Sequence, residues 1–282
     1  MQITERLAEL GLTPLPEPLG TPTVDSHTHL ASTVEYSGLD VETNLAAAAA
    51  VGIDKVVEVG CDVPSSREAV ELARRFDQVV AAVAMHPNDA ARSTTLDDDI
   101  AAIDELASEP VVRAVGETGL DHYRTTDESL HGVQERSFRA HIEIARRRDL
   151  TLVIHHRDAR DDLRRVLADE HLPARVVMHC FSGDADFARD CLAHDAWLSF
   201  PGVITYKNAA YLAEALKVTP VEKVLVETDA PYLTPVPARG KANAPYLVPH
   251  TLRFMADVLG TDADQLAATV RANTFAAFGG QW

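Results

Sequence analysis

The sequence predicts a single (β/α)8 barrel of the TIM type, and three observations carry that prediction. Short runs rich in Val, Ile and Leu alternate with amphipathic runs from about residue 23 to the end. The short runs are nearly continuous in apolarity, as strands covered on both faces of a parallel sheet should be. Eight of them can be read, and eight strand–helix units close a barrel. A doubly wound open sheet is the competing arrangement, but no Gly-rich phosphate fingerprint follows the first strand and no GxxxxGK(S/T) loop occurs. The 282 residues suit one barrel domain.

A Pro-rich lead-in (Pro14, Pro16, Pro18, Pro22) marks residues 1–22 as an N-terminal extension, with the barrel over 23–282. Strands are expected at Thr23–Asp25, Lys55–Gly60, Val79–Met85, Val111–Gly116, Leu150–Ile154, Ala174–Met178, Ala196–Phe200 and Lys223–Val226. Helices are expected at Leu39–Val51, Ser65–Arg75, Leu96–Ser108, Asp127–Arg148 and Asp184–His194, with Pro249–Leu259 and Ala263–Phe278 closing the chain. Each carries apolar residues at helical spacing.

Composition narrows the function. Hydrophobic residues make up 46% of the chain, enough for a sizeable core, yet no stretch approaches the roughly 20 apolar residues of a membrane span. No basic segment followed by an apolar one opens the chain, so a secretory signal is not expected. Cys61, Cys180 and Cys191 form an odd set without a Cys-x-x-Cys pair, which points to free thiols in a reducing cytoplasm. A net charge of −17 argues against a broad basic face that coats nucleic acid. It leaves room for a nuclease that handles one phosphate at a time.

The ends of the predicted strands carry the chemistry. Reacting groups of barrel enzymes come from the C-terminal ends of several strands. Strand one ends in His27 and His29, whose spacing puts both on one face. Strand three ends in His86, strand four in Glu117, strand five in His155, His156 and Arg157, strand six in His179 and Cys180, and strand eight in Glu227 and Asp229. His27, His29, Glu117, His155, His179 and Asp229 therefore converge at one mouth. Four imidazoles and two carboxylates fit two adjacent divalent ions sharing a carboxylate and a water. Zn²⁺, Mn²⁺ and Fe²⁺ suit such ligands, and Mg²⁺ less comfortably. By strand alternation Cys180 and His156 point away from the metals. Arg157 shares the face of His155 and reaches toward an anionic substrate or pairs with Asp158 or Asp161. Glu227 orients a ligand from deeper in the strand. His86 either touches substrate or packs.

These stretches resemble the TatD family of metal-dependent hydrolases, within the amidohydrolase-like barrels. The matching text runs Asp25 to Leu30, Gly116 to Asp121, Ile154 to Ala159, Met178 to Gly183 and Glu227 to Pro235, with a further likeness over Arg239–Pro245 in the loop after the last strand. Position 28 is Thr where many relatives carry Cys. Lactonase and phosphotriesterase relatives use a carboxylated lysine as bridging ligand, whereas strand four here delivers Glu117.

The resemblance implies two divalent ions per chain (Mg²⁺, Mn²⁺ or Zn²⁺) and hydrolysis of DNA phosphodiesters through a metal-bridged hydroxide. One ion is then expected on His27, His29, Glu117 and Asp229 and a second on Glu117, His155 and His179. Asp229 is then the proton acceptor. Arg157, His86, Arg239 and Lys241 are expected to contact substrate, and Tyr123, Phe181, Tyr206 and Tyr232 are candidates to stack bases. The partner is nucleic acid as substrate, without a membrane. The alternatives are a binuclear hydrolase of another ester or amide, such as an aminoacyl ester or a lactone, and a non-enzymatic binding protein stabilised by metal.

Overall fold

The computed structural model describes residues 3–282. In chain order the elements are α1 (Ile3–Glu9), β1 (Thr23–Thr28), α2 (Leu30–Ser37), α3 (Val41–Ala50), β2 (Ile53–Val59), α4 (Val63–Arg75), β3 (Val79–Val83), α5 (Pro87–Arg92), α6 (Leu96–Leu106) and β4 (Val112–Asp121). They continue with α7 (His131–Arg147), β5 (Thr151–Arg157), α8 (Arg160–Asp169), β6 (Val176–Met178), α9 (Ala185–Leu192), β7 (Trp197–Phe200), α10 (Ala210–Val218), β8 (Val224–Val226), α11 (Val248–Leu259) and α12 (Ala263–Ala277). The strand order is β1 to β8 in sequence, the order of a (β/α)8 fold. Strands β3, β6 and β8 are buried along their whole length. That is why their sequences are apolar without alternation.

Local signals set the helix starts. Asp40 accepts the Thr43 N–H at the head of α3. Asp62 and Ser65 form a reciprocal capping box at the head of α4. Gly38 and Gly260, both left-handed, end α2 and α11.

Two compact units can be distinguished. The first comprises the described residues up to Val57, Gly183–Arg189 and Leu198–Thr274. In it β7 and β8 pair in parallel, with Leu198 opposite Val224 and Phe200 opposite Val226. The backbone of β1 is tied to the turn after β8: the Asp229 N–H donates to the His27 carbonyl and the His29 N–H to the Ala230 carbonyl, each at 2.9 Å. The extension is fastened here by its backbone. Lys241 Nζ donates to the Gly11 carbonyl at 2.7 Å, the Tyr246 hydroxyl to that of Thr13 at 2.9 Å, and Arg253 to those of Glu17 and Pro18 at 2.7 and 3.1 Å.

The second unit comprises Glu58–Ser182, Asp190–Trp197 and Phe275–Trp282. Its strands β3, β4, β5 and β6 pair in parallel, with Val83 opposite Val115, Gly119 opposite His155 and Ile154 opposite Met178. Gly119 has φ +142°, and a Cβ there would sit 2.1 Å from the His155 carbonyl oxygen. Only glycine lets β4 pass this close to the strand that carries His155.

Three strands run past their predicted ends. β1 reaches Thr28 rather than Asp25, β4 reaches Asp121 rather than Gly116, and β5 reaches Arg157 rather than Ile154. The polar tails Ser-His-Thr, Glu-Thr-Gly-Leu-Asp and His-His-Arg read as loop by composition, but the pairing of Leu120 with His156 and Asp121 with Arg157 holds β4 and β5 extended. Helices α1, α2, α5, α8 and α10 were not among those expected. α8 is mostly charged (Arg160, Asp161, Asp162, Arg164, Arg165, Asp169) and buries only Leu163, Val166 and Leu167, so its apolar stripe is thin.

Candidate metal centre

The predicted ligands form two groups, one in each unit. The first stands on β1 and the turn after β8. His27, at the end of β1, is fully buried, and His29 follows directly as the residue capping α2. Asp229 has φ +54°, a conformation that Asp tolerates better than most residues. Its Oδ1 lies 3.4 Å from His29 Nε2 and 3.7 Å from His27 Nε2. The three side chains thus face one another.

What fixes this first group lies behind it. Asp25 accepts the Thr228 hydroxyl at 2.5 Å, the Thr228 N–H at 2.9 Å and the His27 N–H at 3.3 Å. Burial pushes the Asp25 carboxyl up to about 8, against the lowering effect of those bonds. Asn243 donates to the carbonyls of Thr228 and Tyr232, at 2.9 and 2.6 Å. Ser26 on β1 meets Ser199 on β7 at 2.8 Å and donates to the Val226 carbonyl at 3.0 Å. Asp25 and Thr228 therefore lock the segments that carry His27 and Asp229 to each other.

The second group is tighter. Glu117 Oε2 lies 2.7 Å from His179 Nε2 and 3.1 Å from His155 Nδ1, and these two ring nitrogens are 3.2 Å apart. His155 Nε2 turns to Asp121 Oδ2 at 3.3 Å, and Asp121 also accepts the Asn88 side-chain N–H at 3.0 Å. His86 Nε2 is 3.8 Å from Glu117 Oε2, while its Nδ1 accepts the Asn88 backbone N–H at 3.1 Å. The Cys61 thiol donates to Glu117 Oε1 at 3.5 Å.

The electrostatics of this group favour a cation. Burial works to raise Glu117, but His179 and the bond from His155 outweigh it and hold the carboxyl well below its usual range. Asp121 is likewise held low: burial is outweighed by the bond from His155, the Arg124 N–H and Asn88. Burial works to lower His155, yet Asp121 and Glu117 raise it. His86 is pushed down to about 3 by burial, so it stays neutral. Two ionised carboxylates around imidazole nitrogens draw positive charge. Donor atoms of His86, Glu117 and His155 all lie within 4.8 Å of one another, the spacing of ligands that can converge on an ion.

The remaining predicted site residues are placed as follows. Arg157 ends β5 with its Cζ 3.8 Å over the Tyr123 ring, and Arg239 stands 4.3 Å over the Tyr206 ring. Lys241 is committed to the Gly11 carbonyl, so its ammonium serves the extension rather than a substrate. Phe181 is buried, which removes it from the base-stacking candidates. His156 is half-buried and pushed down to about 4 by burial. Sequence reasoning missed Asp25, Asn88, Asp121 and Cys61. Asp121 had a usable signal, because it lies four residues beyond Glu117 on one strand and so shares its face. Nothing in the sequence marked Cys61.

A (β/α)8 fold with buried histidines and carboxylates gathered at the ends of its strands defines a metal-dependent hydrolase. Comparison with known proteins narrows this. The family model described as TatD related DNase matches residues 24–279. The uncharacterized metal-dependent hydrolase TatD of Mycobacterium tuberculosis is 40% identical over 263 residues, covering 92% of this chain and 98% of the relative. A protein named 3'-5' ssDNA/RNA exonuclease TatD, from Escherichia coli K12, is 35% identical, covering 85% and 93%. The crystal structure of the TatD homologue YJJV from E. coli superposes with a TM-score of 0.83 at 25% identity, covering 92% and 98%. The chain belongs to the TatD family of metal-dependent hydrolases. No helix of the described residues is long and apolar enough to cross a membrane.

Proposed function

We propose that the chain is a divalent-metal-dependent deoxyribonuclease, cleaving phosphodiester bonds of single-stranded DNA in the cytoplasm, with residues 23–282 as its catalytic barrel and 1–22 as an extension. All six side chains stand in the C-terminal halves of parallel strands or just past them, where (β/α)8 enzymes place their reacting groups. One ion would be held by His27, His29, Glu117 and Asp229, and a second by Glu117, His155 and His179. The observation that carries the reading is the meeting of His179 and His155 on a single oxygen of Glu117, with Arg157 two residues beyond His155 on the same strand. The name of the E. coli relative, an exonuclease of ssDNA and RNA, supports nucleic acid as the substrate.

Bound divalent ions would supply Lewis acidity, which makes water acidic near neutral pH and offsets charge on the phosphate oxygens. The chain's own residues supply the rest. Asp229 takes the proton of the attacking water, in a position fixed through Thr228 and Asp25. Arg157, braced on Tyr123, and Arg239, braced on Tyr206, hold phosphate oxygens through charge-assisted hydrogen bonds. His86, neutral and anchored by Asn88, offers its Nε2–H to the substrate.

The test is a substrate panel after chelation and refilling with Mg²⁺, Mn²⁺ or Zn²⁺. A single-stranded oligonucleotide should be cleaved only by refilled protein, and aminoacylated RNA and a lactone should be left intact. Turnover of either of those with DNA untouched would replace this reading.

A further inference from the structure

A cavity of about 510 Å³ opens beside the end of β5, within the second unit, lined in part by His122, His156, Arg157, Asp158, Asp162 and Ser182. Its size falls in the range of small-molecule pockets, roughly 300–1,000 Å³. Arg157 lines the cavity, and its Cζ lies over the Tyr123 ring, 3.8 Å from the centroid. His122 also lines it and is stacked on His131, with centroids 3.7 Å apart and the rings 6° from parallel. Tyr123 is 57% exposed although Arg157 covers one face, so the exposure belongs to the rest of its ring.

We propose that this cavity receives one unpaired nucleobase of the substrate, stacked on the Arg157 guanidinium that lines it, with Tyr123 backing that guanidinium from the other side. The inference rests on the nuclease reading above and adds where a base is held. The lining disfavours a second phosphate, because it carries Asp158, Asp161 and Asp162 against Arg157 and Arg160; Arg160 is paired with Asp190 at 3.0 Å, Asp162 with Arg165 at 2.9 Å and Asp161 with Arg164 at 3.6 Å. That leaves Arg157, at the rim and one side-chain repeat beyond His155, as the cation for a phosphate oxygen. Carboxylates that repel phosphate accept N–H groups from a base edge. A base can enter such a pocket only when it is out of the duplex stack, and stacking on a guanidinium plane tolerates any sequence.

The experiment uses the full-length protein refilled with Mn²⁺. Binding of a fluorescein-labelled single-stranded phosphorothioate oligonucleotide is compared with that of a strand of equal length carrying consecutive abasic sites, and cleavage of bis(p-nitrophenyl) phosphate is followed alongside. Tyr123→Ala removes the backing of Arg157 and should weaken binding of the intact strand about 5- to 100-fold, the range expected for loss of one base stack, and that of the abasic strand clearly less. Tyr123→Phe should restore the wild-type value. Arg157→Met should weaken both strands, since it removes the phosphate contact. If the wild type cleaves DNA but binds both strands equally, or if Tyr123→Ala weakens both alike, the base site is wrong while the nuclease reading stands. If wild-type protein cleaves neither oligonucleotide nor bis(p-nitrophenyl) phosphate, the nuclease reading fails and the base site with it.

Discussion

The two ligand groups are held in different ways. Glu117, His155 and His179 bond directly to one another, at 2.7 to 3.2 Å. His27, His29 and Asp229 stand farther apart, at 3.4 and 3.7 Å, and are fixed from behind by Asp25, Thr228 and Asn243. One group is assembled through its own members and the other through its supports. Removing a ligand should therefore damage the first group most, and removing a supporting residue should damage the second most.

The largest expected effect tests the group around Glu117. Glu117→Ala deletes the oxygen shared by two histidines and should lower metal-dependent cleavage more than about 10³-fold. It should also reduce the bound metal read by atomic emission on purified protein. His179→Ala should follow it closely, and near-wild-type activity in either variant would undo the assignment. Asp229→Asn should retain metal but lose about 10²- to 10⁴-fold in kcat, as expected for a lost proton acceptor.

The supporting residues give an intermediate effect. Asp25→Ala removes the acceptor of both Thr228 donors and of the His27 N–H, and it should weaken metal binding about 10- to 100-fold in a competition titration. Cys61→Ala, by contrast, removes one 3.5 Å thiol contact to Glu117 and should change metal affinity less than threefold, on the order of 0.5 kcal/mol. Equal losses in the two variants would erase the distinction between the groups.

The second unit should show a pH dependence of stability. His141 is buried on α7, accepting the Met85 N–H at Nε2, and burial lowers it to about 4. The unfolded chain takes up this proton near pH 6.5 and the folded chain does not until about 4. The neutral ring's contribution is thus complete above pH 6.5 and is lost as pH falls toward 4, by about 3 kcal/mol in all. Urea unfolding of wild type and His141→Gln at pH 7 and pH 4.5 checks this: the drop between the two should be smaller in the variant.

The sequence made the strand order and the six ligands legible for one reason. Each ligand follows a run of β-branched residues, and the run is readable even when the tail is not. Where the strands ended was hidden, because β4 and β5 hold their polar tails extended by pairing with each other, a tertiary effect absent from local composition. Asp25 was legible only as a strand residue. Its partner Thr228 is 203 positions away, and no spacing rule reaches across that distance. Lys241 read as a cation in a mouth loop, and only the path of the extension shows that Gly11 takes its charge. α8 was missed because three apolar contacts among charged residues give too faint a stripe.

The anchoring of the lead-in has a bearing on how this chain can diverge. Lys241, Tyr246 and Arg253 all grip main-chain oxygens of Gly11, Thr13, Glu17 and Pro18 rather than their side chains. Replacing the residues at 13 or 17 by others that keep the same route should therefore be tolerated, whereas Gly11, at φ +65°, admits little else, and shortening the stretch by even a few positions would strand three donors at once.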